Sequence, residues 1–171
     1  LRTVPMRGFI FVLAASFLWA LDTVMRYHLI SQGVSAYQIV LLEHFILAVI
    51  FFPAVWQGRW RIWHSQLSHL FSFLVIGALG SGLSTWAFTE AFQHLNPSVV
   101  ILLQKFQPIV AFTLAAWVLK EPVGAQFLWW SLLCFAGGIL LSFNDLMAAT
   151  QHIGQGATLG YALTFFAVAG W

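Results

Sequence analysis

Apolar residues fall along this chain in blocks of about twenty, separated by short polar stretches. The first block runs from Gly8 to Ile30 and carries Phe9–Tyr27 as its body. A Ser-Gln-Gly-Val-Ser turn around Gly33 leads to a second block over 36–56, which contains Glu43 and His44. Residues 57–69 form the one clearly polar connection. The third block, 70–93, is rich in small residues, among them Gly77, Gly80, Ser81, Gly82 and Ser84. The fourth covers 97–119 and the fifth 124–143. After a second loop at 144–156, a sixth begins at Ala157. Each of the first five approaches the ~20 helical residues that a bilayer core requires. The pattern therefore predicts an all-α transmembrane protein.

The stretch Asn96–Pro122 organises this pattern. Asn96 is a natural helix cap and Pro97 suits the first helical position. Gln104, Lys105, Gln107 and Pro108 then interrupt an otherwise apolar run near its middle. A lysine and two glutamines cannot face lipid hydrocarbon, so they must face protein or water. Pro108 lacks an amide proton and frees the Gln104 carbonyl, which either kinks the helix beside a cavity or is simply tolerated.

Composition sharpens this picture. The chain is 61% hydrophobic and 7% charged, with a mean hydropathy of +0.88, whereas a soluble domain carries about 25% charged residues. A net charge of +2 on so few ionisable groups gives no case for nucleic acid. Arg2, Arg7, Arg59, Arg61 and Lys120 sit at the N-terminus and in the second and fourth connections, while the first, third and fifth connections lack Lys and Arg. The positive-inside rule then predicts a multi-pass protein of the cell (inner) membrane with a cytoplasmic N-terminus. Trp56, Trp60, Trp63, Trp117, Trp129 and Trp130 fall near interfaces, as an aromatic belt requires. A basic start before an apolar run also resembles a signal peptide, but the apolar character continues beyond any cleavage site. The chain starts at Leu1 and stops at Trp171 inside a block that has just begun, which predicts a longer parent protein.

Five ionisable groups lie inside the blocks: Asp22, Arg26, Glu43, Glu90 and Lys105. At ~1.5 Å per residue, Asp22, Glu43 and Lys105 lie roughly 10–12 Å from the outer ends, and Arg26 and Glu90 about one turn from them. Asp22 and Arg26, four residues apart, can pair on one helix face beside Trp19. Lys105 needs an acid from another helix, and Glu43 or Asp22 lies at the right depth. Trp19, Asp22, Arg26, Glu43, His44, Gln104, Lys105 and Gln107 are accordingly the candidate lining of a polar site. The structural alternative is a set of ion pairs that only fixes helix packing. Three acids against two bases leave the layer at −1, a balance suited to a zwitterion or an organic cation.

Other chemistry-bearing residues have plainer roles. Cys134 has apolar flanks and no second cysteine, so it packs, and neither a disulfide nor a cysteine metal site follows. His64 and His69 lie in a loop without carboxylates, a poor metal site. Gly77, Gly80 and Gly82 allow close helix packing. Ser81 between glycines suggests an intramembrane serine protease, but no histidine is expected opposite it on a late helix. No cofactor, metal or enzymatic activity is predicted.

Certain of these residues also form a recognisable series. Leu18-Trp19-Ala20 closes the first block, His44-Phe-Ile-Leu-Ala48 lies in the second and Ala87-Phe-x-x-Ala-Phe92 ends the third. Pro108 sits mid-helix in the fourth, followed by Leu114-Ala-Ala-Trp-Val-Leu-Lys-Glu121-Pro122, and Gly137-Gly138 mark the fifth. In this order the chain resembles EamA-like transporters of the drug/metabolite transporter superfamily, with His44 where the family often has arginine. The resemblance implies ten helices in two inverted five-helix repeats around a substrate cavity. Residues 1–146 would be the first repeat, and 147–171 an outer loop and the start of the second. The opening of the sixth block loosely echoes that of the first, as an inverted repeat would. Glu121, matching the family's glutamate after the fourth span, reads as a helix-end anchor. The implied function is secondary transport of small organic solutes (amino acids, metabolites or drugs) by alternating access, with Glu43 or Asp22 as a proton-coupling carboxylate. Its partners would be the lipid bilayer, a small solute, and a second repeat supplied either by fusion or by a homodimer. The rival function is a non-transporting structural membrane protein.

Overall fold

The computed structural model describes residues 6–120, 124–151 and 156–171, and all regular structure among them is helical. The elements are α1 (Met6–Ser31), α2 (Ala36–Trp63), α3 (Leu67–Val75), α4 (Ser84–Ala91), α5 (Pro97–Gln104), α6 (Gln107–Leu114), α7 (Ala125–Leu141), α8 (Phe143–Gln151) and α9 (Ala157–Gly170). A π-helical stretch, Ile76–Leu83, joins α3 to α4, and another, Ala115–Leu119, follows α6. Four helical runs are long and apolar enough to cross a membrane: Gly8–Ser31, Ala36–Trp63, Leu67–Ala91 and Pro97–Val118. Ala125–Leu141 and Ala157–Gly170 are shorter apolar helices.

Local signals account for the breaks between runs. Gly33 takes φ 87°, a left-handed turn that costs glycine little, and Val34 and Gln32 hydrogen-bond back onto the end of α1. Asn96 caps α5 as its sequence predicts, its side-chain oxygen accepting from the Ser98 amide at 2.9 Å with Pro97 in the first turn. Between α5 and α6 the amides of Lys105 and Phe106 bond to carbonyls only three residues back, a tightening at the step where Pro108 withholds its own donor. The span thus breaks at residues 105–106. Ser84 donates its hydroxyl to the Leu79 carbonyl at 2.6 Å, five residues back, matching the wider winding of the preceding segment.

Two connections differ from the sequence reading. The stretch 57–69 is not a loop: α2 continues to Trp63, and α3 starts at Leu67. Polar residues do not stop a helix, and Arg59 folds back along α2, donating to the Trp56 carbonyl with its guanidinium 4.7 Å from the Trp56 ring. Likewise α8 occupies Phe143–Gln151 within the predicted loop 144–156. Glu121 lies outside the described residues.

The core forms where α9 packs against α4 and α5. Ala87, Phe88, Ala91 and Phe92 of α4 meet Leu95, Val99, Val100, Ala157 and Ala167. Small residues permit the approach: a Cβ on Gly160 would lie 2.6 Å from Leu95 Cγ and 2.8 Å from His94 Cβ, and one on Gly80 would lie 3.2 Å from the Gly170 carbonyl. In lipid, where apolar surfaces gain little by leaving the solvent, such close contact is what holds helices together. Gly77 has nothing within 4 Å of its added Cβ. The bulk of α1 and α2 is apolar and exposed, as lipid-facing helices are. Gly160→Ala should therefore lower stability by about 1–3 kcal/mol through overpacking, while Gly77→Ala should be neutral or stabilise by up to about 1 kcal/mol. Thermal unfolding of the two purified variants in detergent checks the contrast.

Candidate functional site

The site is built around Arg26, on the inward face of α1 and 4% exposed. One turn earlier, Asp22 presents its carboxylate on the same face, so the i, i+4 pair forms within the helix at 3.0 Å. From α2, Glu43 Oε2 accepts from Arg26 Nη2, also at 3.0 Å. From α4, Thr89 Oγ1 accepts from Arg26 Nη1 at 2.9 Å while donating to the Thr85 carbonyl. One guanidinium thereby ties three helices, its fork satisfying two carboxylates and a hydroxyl. Asp22 and Glu43 are less enclosed than the arginine, with 55% and 36% of their side chains exposed.

These groups line a cavity of about 330 Å³ together with Ala15, Leu18, Trp19, Thr85, Phe88 and Trp171. Trp171 stands edge-on to Trp19, 5.9 Å between ring centres, and 5.1 Å from Phe88. An aromatic wall therefore faces the charged cluster. Sequence reasoning found Trp19, Asp22, Arg26 and Glu43 but missed Thr89, Phe88 and Trp171. The Thr85/Thr89 repeat at i, i+4 was the available signal for Thr89; a tryptophan following an apolar run gave none for Trp171.

A second cavity, about 580 Å³, lies between α1 and the α5–α6 break. It is lined by Ser16, Trp19, Ala20, Thr23 and Val24 on one side and by Ile101, Gln104, Lys105, Gln107 and Pro108 on the other. Trp19 belongs to both cavities. The polar residues of the fourth span thus do face a cavity, but the expected ion pair of Lys105 does not form. Arg26 takes both carboxylates, and Lys105 has no ion pair or hydrogen bond with any described residue. The charge layer is divided: an Asp22–Arg26–Glu43 cluster of net −1 on one side of Trp19, and a lone cation on the other.

His44 belongs to neither cavity. Its Nδ1 lies 2.8 Å from the Val40 carbonyl, which can only accept, so Nδ1 carries a proton, and Nε2 lies 3.1 Å from the Ser81 hydroxyl. A histidine does stand opposite Ser81, on the early helix α2, whereas the sequence reading considered only a late helix. Its other nitrogen is held by a backbone carbonyl of its own helix, so no carboxylate completes a triad. Glu90 is separate again, bonded to Gln93 and 3.8 Å from His94. No group of three or more His, Cys, Asp or Glu side chains converges among the described residues.

Membrane-length helices with paired charges and cavities between them define a multi-pass membrane protein built around a polar interior. The sequence profile of the EamA-like transporter family matches residues 6–143, and the chain belongs to that family, whose members are membrane transporters and not enzymes. Over 84 residues it is 40% identical to the riboflavin transporter ImpX of Fusobacterium nucleatum, a match covering 46% of this chain and 27% of that protein. Over 86 residues it is 31% identical to the probable 4-amino-4-deoxy-L-arabinose-phosphoundecaprenol flippase subunit ArnE of Pseudomonas fluorescens, covering 50% of this chain and 73% of ArnE. The match thus spans about a quarter of the riboflavin transporter's length. No solved structure matches the chain significantly.

Removing Arg26 leaves Glu43 and Asp22 without their cation in an apolar layer. Arg26→Met should cost about 3 kcal/mol, and the double variant Arg26→Met/Glu43→Met should regain a large part of it. Unfolding of both variants in detergent, compared with Glu43→Met alone, measures the coupling.

Proposed function

We propose that this protein is a secondary transporter that moves small organic solutes across the inner membrane by alternating access. The observation that carries the reading is the pair of cavities between the spans that share Trp19 and receive Asp22, Arg26, Glu43 and Lys105. Burying charge in a bilayer is costly, and a helix-packing role needs no unfilled volume beside it. Both volumes fall near the 300–1,000 Å³ of small-molecule sites.

In this reading residues 1–146 form a first five-helix repeat and 147–171 an outer loop and the start of a second, with the N-terminus cytoplasmic. Ten helices in two inverted repeats enclose the route, the second repeat being fused or contributed by another copy. The packing of α9 against α4 and α5 supports a second unit docked on this face. The relatives named for riboflavin and for a lipid-linked aminosugar make these two solutes the first to test. Asp22 and Glu43, partly open to the cavity, are the candidate proton-coupling carboxylates, whereas Arg26 holds the helices together. Pro108, beside the break in the fourth span, gives the wall a point at which to bend.

Reconstituted into proteoliposomes as the full-length protein, Glu43→Gln should reduce solute uptake at least tenfold and Asp22→Asn severalfold, with insertion and monodispersity unchanged. Uptake at wild-type rates in both variants would remove these carboxylates from the route. If uptake is absent from the wild type for every solute class tried, while the Arg26→Met/Glu43→Met variant is as stable as the parent, the charges serve packing alone. Cysteines placed in 57–66 should react with membrane-impermeant reagents from the cytoplasmic side only, which checks the orientation.

A further inference from the structure

The larger cavity carries a charge signature that the composition of the layer conceals. Counted together, Asp22, Glu43, Glu90, Arg26 and Lys105 favour a cationic solute. The fold separates them. Glu90 bonds to Gln93 and His94 outside both cavities, and the two remaining acids are committed to Arg26. Lys105 is left as the single charge in its own cavity, with no acid among the described residues to neutralise it.

Two amides accompany it. Gln104 is 8% exposed, lines the cavity, and makes no side-chain hydrogen bond with any described residue, although none of its polar atoms is sealed from the cavity space. Gln107 lines the same wall one turn on, likewise without a described partner. A largely buried amide aimed into an open volume is a group awaiting a ligand, because a polar side chain is otherwise satisfied by its protein neighbours. Lysine offers only donors, and each amide adds two more. The remaining wall is apolar or aromatic: Trp19, Ala20, Val24, Ile101 and Pro108.

We propose that Gln104, Lys105 and Gln107 form an anion subsite that binds the carboxylate of an organic solute, with its apolar body against Trp19 and Ile101. The proposal rests on the reading that these cavities line the solute route. It assigns the solute a negative end at Lys105; any positive end would reach past Trp19 toward Asp22 and Glu43.

The test uses the full-length protein in nanodiscs and three isosteric probes: benzoate, neutral benzamide and cationic benzylammonium. Binding is measured by calorimetry, independently of transport. Benzoate should bind at least tenfold more tightly than benzamide. Lys105→Met should weaken benzoate at least tenfold and leave benzamide unchanged, and Lys105→Arg should stay within about threefold of the parent. If Lys105→Met does not fold, Gln104→Leu reads the same subsite and should weaken benzoate severalfold. Equal benzoate affinity in the parent and Lys105→Met overturns the proposal, and is the result expected if Lys105 pairs with an acid elsewhere in the protein. So does a preference for benzylammonium, or failure of the parent to bind any probe. Loss of the transport reading would show in the Glu43→Gln and Asp22→Asn uptake rates, which these titrations do not involve.

Discussion

A guanidinium cannot remain at membrane depth without partners, and the interior of this protein is arranged around meeting that requirement for Arg26. Its fork reaches Asp22 on its own helix, Glu43 on α2 and Thr89 on α4, so the cost of removing the charge from water is offset only once three helices are in place. The pairing fixes the rotation of α1, since Asp22 and Arg26 must face inward together. It also consumes the acids that would otherwise neutralise other cations. The isolation of Lys105 and the division of the polar layer into two cavities both follow from it.

The apolar packing obeys a different rule. Bilayer hydrocarbon solvates Leu and Phe as well as a protein interior does, so association depends on how closely backbones approach. The core between α4, α5 and α9 is correspondingly built on Ala87, Ala91, Ala157, Gly160 and Ala167, with Phe88, Phe92, Leu95, Val99 and Val100 filling the remaining space. The same contact delivers Trp171 to Phe88 and Trp19, completing an aromatic wall beside the Asp22–Arg26–Glu43 cluster. Packing and site are therefore one arrangement.

Membership of the EamA-like transporter family and the polar cavities between the helices are the two supports of the proposed transport function. The family assigns the class of protein. Within that class the geometry distinguishes roles the family name does not. Among the described residues, Arg26 is fully paired, Asp22 and Glu43 are paired yet partly exposed, and Gln104, Lys105 and Gln107 have no side-chain partner. Groups that already have partners stabilise a fold; groups that lack them are available to a ligand.

The sequence by itself determined whatever depends on local spacing and on transfer from water to lipid. Long apolar blocks can only be helices in a bilayer, Asn96-Pro97 can cap the fourth, and Asp22 with Arg26 must meet at i, i+4. It misplaced the C-terminal end of α2 and the identity of 144–151, because polarity marks where a helix leaves hydrocarbon and not where it stops winding. Only the tertiary structure decided which acid meets which base. Glu43 and Asp22 both lay at a depth suitable for Lys105, and depth along a helix says nothing about rotation around it. Rotation is set by the small-residue contacts of α4 and α9 and by the fork of Arg26, which reaches Thr89 63 positions along the chain. Those contacts turned one layer of charges into a paired cluster and a lysine with no ion pair among the described residues.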